Sequence, residues 1–426
     1  MREDGFVLHG AAVWSRGRND LCAMDDAYVV CVDGLSRGVF RELPEEYADL
    51  PVEDLWDKLI LPGFTDLHVH APQYQFRGLG MDLELLDWLN VHTFPEEARY
   101  KDLAYAERAY DLFAEELYCG PTTRAVVFAT ADPDATLVLM DTLEDTGLVT
   151  FVGKVNMDRN VPDYYVEGTE ESLADTRAWL DVVRGECEYI NTKPILTPRF
   201  TPSCSKELLS GLGALSAEYG LPVQSHLSES LSEIEWVKEL EPDLPFYGAS
   251  YDRAGLFGQN GNCVMAHCVW SADEELALIK KNGVFVAHCP ECNMNLSSGV
   301  APVSRYLDMG IRVGLGSDVA GGSVTSIFSA MRNAVGVSKL RWRLFDKEVR
   351  PLTFPEVFYL ATMGGGAFFG KVGSFEPGYE FDAVIIDDET IPSMRELTAA
   401  ERAERLIYLA DDRHVSGKIV RGRALY

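Results

Sequence analysis

Two textures of hydrophobic and polar patterning alternate along the chain. Near its start, short β-rich runs at 6–14, 28–33 and 38–43 are separated by Gly- and Asp-containing turns, and each reads as a strand. The segments 383–386 and 414–420 read the same way near the end. Between them lie compact apolar runs, each followed by a helical pattern: 60–69, 123–128, 149–155, 194–197, 222–225, 263–266, 284–287 and 311–315. Strands buried on both faces and alternating with helices predict a parallel α/β sheet. Eight such units predict a (β/α)8 TIM-type barrel, with an open doubly wound sheet as the alternative. The implied division is a barrel over 60–371 and a small β-sandwich domain assembled from 1–59 and 372–426.

Two connections break the rhythm. The segments 72–101 and 239–262 exceed what a minimal crossover needs, and long loops in compact domains are more often functional than idle. Thr398-Ala399-Ala400-Glu401 has capping-box spacing and predicts a surface helix that packs Ala403, Leu406 and Ile407. Gly364-Gly365-Gly366 lacks the lysine of a phosphate-binding loop and reads as a helix-packing or turn element.

Charge narrows the choice of partners. Across 426 residues, 67 acidic side chains face 38 Lys and Arg, for a formal net charge of −29. A chain without a basic footprint is a poor match for nucleic acid or anionic membranes. Nine cysteines at irregular spacings fit a reducing compartment, here the cytoplasm, better than a disulfide framework. Met1 to Gly5 offer no apolar stretch of signal-peptide length, and no span reaches the roughly 18 apolar residues of a membrane helix.

The candidate chemistry lies at the strand ends. Only eight histidines occur, and five of them close apolar runs: His68, His70, His226, His267 and His288. Side chains on a strand alternate, so His68, His70 and Asp66 share one face. Asp318 follows the last run. One buried histidine is most simply a satisfied core residue. Polar groups ending run after run are costly to bury without partners, and imidazoles plus a carboxylate are the donor set of zinc or a similar divalent ion. Lys193 precedes its apolar run, so it is poorly placed to bridge two metals, and one metal is expected. Glu229, three residues beyond His226, reads equally as a proton shuttle over the metal or as an acid in the first turn of a helix. Cys289-Pro290-Glu291-Cys292 has no second Cys pair, and no His-x-Glu accompanies it. Its cysteines therefore read as packed thiols, and the cytidine-type zinc deaminases are excluded.

The motifs resemble those of the amidohydrolase superfamily and, within it, the guanine deaminases. The general likeness rests on Pro62-Gly63-Phe64-Thr65-Asp66-Leu67-His68-Val69-His70, on His226, His267 and Asp318, and on Glu376-Pro377-Gly378 before Asp382. The narrower one rests on His70-Ala71-Pro72-Gln73-Tyr74, Leu86-Asp87-Trp88-Leu89, Thr93-Phe94-Pro95-Glu96 and Thr197-Pro198-Arg199-Phe200. It continues through Ser225-His226-Leu227-Ser228-Glu229, Ala287-His288-Cys289-Pro290, Leu296-Ser297-Ser298-Gly299, Gly316-Ser317-Asp318-Val319-Ala320-Gly321-Gly322 and Asp411-Asp412-Arg413. It spans from about residue 60 to the end; Cys268 stands where many relatives have glycine.

The resemblance implies one zinc per subunit, with iron as the alternative, held by His68, His70, His226 and Asp318. His267 would coordinate the metal or hydrogen-bond its water. Gln73, Arg199, Phe200, His226 and Glu229 would contact a free purine base, and the assembly would be a homodimer. The implied reaction converts guanine to xanthine and ammonia by a metal-activated water, with Asp318, His267 and Glu229 as the catalytic groups. The arginine fork matches the O6 and N7 acceptors of guanine, against which adenine would place a donor. The segment 72–101, with Trp88, would cover the base and exclude water. Two alternatives stay open: a related amidohydrolase acting on oxidised guanine, an adenosine-type substrate or a triazine, and a non-catalytic scaffold of the same fold.

Overall fold

The computed structural model describes residues 5–426, so the leaderless start expected at Met1 to Asp4, and the first four residues of the 1–59 segment, lie outside the described residues. Parallel strands Phe64–His70, Thr122–Phe128, Val149–Gly153 and Thr192–Pro194 hydrogen-bond in that order. Strands Val223–Leu227, Cys263–His267, Phe285–His288 and Arg312–Leu315 form a second parallel sheet of four. Backbone bonds stitch the two together on both sides. On one, Val155–Asn156 pairs with Thr197–Pro198, and Leu196 bridges to Val223. On the other, Asp318 N donates to His68 O and His70 N donates to Val319 O. Strands Phe64–His70 and Thr122–Phe128 are buried at every position, as expected where helices cover the sheet.

The helices between them form for local reasons. In Leu103–Cys119, Asp102 caps the N-terminus by accepting from Ala104 N and Tyr105 N. Ala106, Ala109, Tyr110, Phe113, Ala114 and Leu117 then fall on one buried stripe. The helix Ala399–Leu409 carries the expected capping box and buries Ala403, Leu406 and Ile407. The Gly364-Gly365-Gly366 element packs a helix closely, since a Cβ on Gly364 would lie 2.8 Å from Val313 O.

Both chain ends feed one seven-stranded sheet. Its order is Arg423–Ala424, Val415–Val420, Ala383–Ile386, Val52–Pro62, Phe6–Gly17, Asp20–Val32 and Leu35–Phe40. Phe6, Leu8, Trp14, Val29, Ile60, Phe375 and Phe381 form its own apolar cluster.

The observed strands differ from the expected runs in instructive ways. The run 60–69 is two strands, because the chain passes from one sheet to the other at Gly63, where any Cβ would lie 2.2 Å from Thr123 Oγ1. The strand expected at 28–33 begins at Asp20, and Val52–Pro62 was not anticipated. Both stretches carry exposed acids and lack clean alternation, and they are extended because their backbones pair with Phe6–Gly17. The run 194–197 divides into Thr192–Pro194 and Thr197–Pro198.

Two buried basic side chains fasten the terminal sheet to the strand Thr122–Phe128, and burial pushes the pKa of one, Lys418, down to about 7. Arg124 Nε donates to Asp382 Oδ2 at 2.7 Å, and its Nη2 donates to Asp382 Oδ1 and Glu380 Oε2. Lys418 Nζ, on Val415–Val420, donates to the carbonyls of Leu117, Tyr118 and Thr122. Two of those carbonyls lie at the C-terminal end of Leu103–Cys119, where the helix dipole favours a cation. Replacing Lys418 with Met leaves three carbonyls without this donor, and should lower unfolding stability by about 2–4 kcal/mol in a denaturant titration; a change within error would remove the fastening role.

Candidate active site

Alternation along Phe64–His70 puts His68 and His70 on one face, and the end of Val223–Leu227 brings His226 to meet them. His70 Nε2 lies 3.2 Å from both His68 Nε2 and His226 Nε2. Asp318 Oδ1 lies 3.2 Å from His68 Nε2 and 3.7 Å from His70 Nε2. A tetrahedral ion with ligand bonds of about 2.0–2.1 Å requires ligand atoms roughly 3.3 Å apart. The three histidines thus form one potential metal-holding group, and Asp318 joins His68 in a neighbouring one. Burial holds His70 and His226 well below the ordinary histidine pKa, so each offers a lone pair. Arg199 O takes the Nδ1–H of His226 at 2.6 Å, which turns Nε2 toward the common point. Burial opposes ionisation of Asp318, yet His68, His267 and His70 hold its pKa well below the carboxylate range.

His267, ending Cys263–His267, reaches the same place from the opposite side. Its Nδ1–H donates to Asn293 Oδ1 at 2.9 Å. Its Nε2 lies 3.4 Å from Glu229 Oε2 and 3.6 Å from Asp318 Oδ2. Burial disfavours the imidazolium, but the two carboxylates raise its pKa above the ordinary value. Glu229 precedes the helix Leu231–Leu240, whose N-cap is Ser230, so it is not a first-turn acid. It is buried, and its Oε1 accepts from Ser298 Oγ at 2.7 Å. Burial raises its pKa, with His267 working in the opposite direction. His267 and Asp318 both adopt left-handed backbone, at φ 72° and 52°. Such conformations cost on the order of 1–2 kcal/mol and collect at functional sites.

Other strand-end groups stay outside this set. Asp66 shares a face with the histidines but accepts from His68 N, Ser317 N and Ser317 Oγ. Burial pushes its pKa up to about 7. His288 belongs to no potential metal-holding group among the described residues, and burial pushes its pKa down to about 3. Lys193 is exposed.

A pocket opens beside the imidazoles. Its lining brings together every residue expected to touch substrate: Gln73, Arg199, Phe200, His226 and Glu229. The connection 72–101 supplies a wall through Leu85, Trp88 and Leu89. It is a chain of short helical turns in which a π-type turn, Leu89–Thr93, separates Leu85–Trp88 from Phe94–Glu97. The Cys-Pro-Glu-Cys cysteines are buried thiols as expected, and Cys292 also lines the cavity.

Sequence reasoning missed Glu97, Asn293 and Ser298. Asn293 and Ser298 follow the strand Phe285–His288 and hold His267 and Glu229, respectively. Glu97 pairs with Arg199 at 2.6 Å. The signal available was the reading of Arg199 as a substrate contact, since a guanidinium taken out of water needs an acid beside it.

The amidohydrolase family model matches residues 59–425. A guanine deaminase of Dictyostelium discoideum is 40% identical, over 99% of this chain and 92% of its own. A guanine deaminase of Homo sapiens is 38% identical, over 86% of this chain and 82% of its own. The crystal structure of guanine deaminase from C. acetobutylicum with bound guanine superposes with a TM-score of 0.95 at 45% identity, covering 99% of this chain and 100% of that one. With a matching family model over most of its length, and relatives of this similarity, the chain belongs to the amidohydrolase family.

Proposed function

We propose that this chain is a guanine deaminase, a hydrolase that converts free guanine to xanthine and ammonia with one zinc ion per subunit. The observation that carries the reading is the meeting, in one cavity, of the imidazole–carboxylate set, the Glu229–His267 pair and the Arg199–Gln73–Phe200 frame. His68, His70, His226 and Asp318 would hold the metal. When bound, it supplies Lewis-acid activation of the attacking water at neutral pH.

The remaining chemistry belongs to the side chains. Phe200 walls the base plane and Arg199 meets the O6/N7 edge, which adenine would oppose with a donor. Gln73 is set by two bonds: its Nε2 donates to Glu97, and its Oε1 accepts from Ala320 N. One donor and one acceptor site on its amide remain for the purine. Asp318 Oδ2 has no hydrogen-bond partner and takes the proton of the attacking water. His267 Nε2 lies between Glu229 and Asp318, and orients that water. Protonated Glu229 gives its proton to N3 as the water oxygen bonds to C2; as the C2–amine bond breaks, the proton held by Asp318 passes to the departing amine, and the C2 hydroxyl proton returns to Glu229 as the carbonyl forms. Leu85, Trp88 and Leu89 shield these transfers from solvent.

The wider architecture is read in the same way. The two stitched parallel sheets are taken as one closed (β/α)8 barrel over 60–371, and the terminal sheet as a small sandwich of 1–59 and 372–426 folded over its own core. Exposed Leu340, Trp342, Leu344 and Phe345 cluster at one helix end and support a homodimer contact. Nine unpaired cysteines support a reducing cytoplasmic setting. No described helix is long and apolar enough to cross a membrane.

Protein purified without added metal should carry zinc, turn guanine into xanthine in a UV assay and lose activity to a chelator. Turnover of another base without guanine would overturn the substrate, and absence of both metal and activity would favour a scaffold. Glu229→Gln should retain metal while kcat falls by about 10²–10⁴-fold; substantial remaining turnover removes the proton role. Arg199→Ala should raise the guanine KM about tenfold or more without loss of metal, and an unchanged KM would show that the fork does not read the base.

A further inference from the structure

Glu97 touches both polar ends of the substrate frame. Its Oε1 accepts from Gln73 Nε2 at 3.0 Å. Its Oε2 accepts from Arg199 Nη1 at 2.6 Å and from Tyr165 OH at 3.0 Å. These donors come from separate parts of the chain, and Glu97 itself ends the short helix Phe94–Glu97 in the covering segment. Glu97 is 1% exposed and Arg199 2%.

A guanidinium this deeply buried is strongly unfavourable without an anion beside it. Two things follow from the pairing. Anchoring Nη1 restricts rotation of the fork and leaves its other donors for the cavity that Arg199 lines. The pair also cancels its own charge, so this end of the cavity is close to neutral although it presents arginine donors. The other acids of the cavity, Glu229 and Asp318, stand at the imidazole end beside His70, His226 and His267.

We propose that Glu97 is a positioning and charge-balancing residue, through which the site accepts a neutral aminated purine and disfavours the more acidic oxo product. The proposal rests on the guanine reading. Hydrolysis breaks the C2–amine bond and leaves a C2 carbonyl, with the amine departing as ammonia. The ring N–H groups beside C2 then become urea- and imide-like, and lose a proton more readily than those of guanine. An unpaired Arg199 would retain the resulting anion; Arg199 paired with Glu97 gives it no net positive charge to hold.

The test compares competitive inhibition by xanthine and by hypoxanthine, an oxo-purine that stays neutral, at mildly alkaline pH. Metal-loaded wild type, Glu97→Gln and Arg199→Gln are measured, with metal content as a control. In Glu97→Gln the ratio of xanthine Ki to hypoxanthine Ki should fall about tenfold, because a buried positive charge is left uncompensated. The guanine KM should rise as Gln73 and Arg199 loosen. In Arg199→Gln the ratio should rise, because the unpaired carboxylate repels the anion. If Glu97→Gln fails to fold, the double variant Glu97→Gln/Arg199→Gln carries neither charge and should return the ratio to the wild-type value. A ratio unchanged in the single variants that fold overturns the proposal, since a purely structural role for Glu97 would weaken both inhibitors alike. Wild type that turns over a different base, with the same ratio shifts in the variants, would instead sink the guanine reading and leave the charge rule in place.

Discussion

Bringing three imidazole nitrogens to one point requires that the backbones beneath them not drift. His226 is turned by its bond to Arg199 O, while Asp318 Oδ1 faces His68 Nε2 at 3.2 Å. The parallel strands supply the fixed backbones. The backbone bonds from Asp318 N to His68 O and from His70 N to Val319 O tie the last strand end directly to the first. That tie is made by the backbones of His68, His70 and Asp318 themselves, so the join between the two sheets and the spacing of those side chains share the same bonds. Fold integrity and ligand geometry are therefore one constraint, which accounts for left-handed backbone being retained at His267 and Asp318.

What could be read in advance was what a short repeat determines. Period-two alternation is enough to place His68 and His70 together, and a polar group ending an apolar run is enough to bring His226, His267 and Asp318 to the same end of a parallel sheet. The partners that orient them obey no such repeat. Asn293 reaches His267, and Ser298 reaches Glu229, from a connection whose path depends on tertiary packing. Glu97 was hidden for a related reason. Its segment is a string of short turns with too few residues in each to show a helical period, and its partner Arg199 lies about a hundred positions away. In the terminal sheet, Asp20–Val32 and Val52–Pro62 carry exposed acids that mask their extended backbone, and pairing alone reveals them.

Trp88 lines the cavity from the segment 72–101, and Glu97 of the same segment bonds two other lining residues, Gln73 and Arg199. Trp88 adds apolar wall, and its indole N–H is bound to Leu79 O within the same segment. Glu97 instead reaches across to residues anchored at the strand ends. The covering segment is thus joined to the site by charge-assisted hydrogen bonds as well as by apolar contact, so displacing it would also change the electrostatics of the pocket.

The seven-stranded sheet built from both ends has a consequence for how the molecule is made. Phe6–Gly17, Asp20–Val32 and Leu35–Phe40 are made well before Ala383–Ile386, yet Val52–Pro62 pairs on its far side with that later strand. The early strands must wait with one edge unpaired while the whole central region emerges and folds. Such an edge is a template for unwanted pairing. The residues that wait, Leu59 to Pro62, are apolar and end buried, so the late strand covers an edge that would otherwise invite pairing.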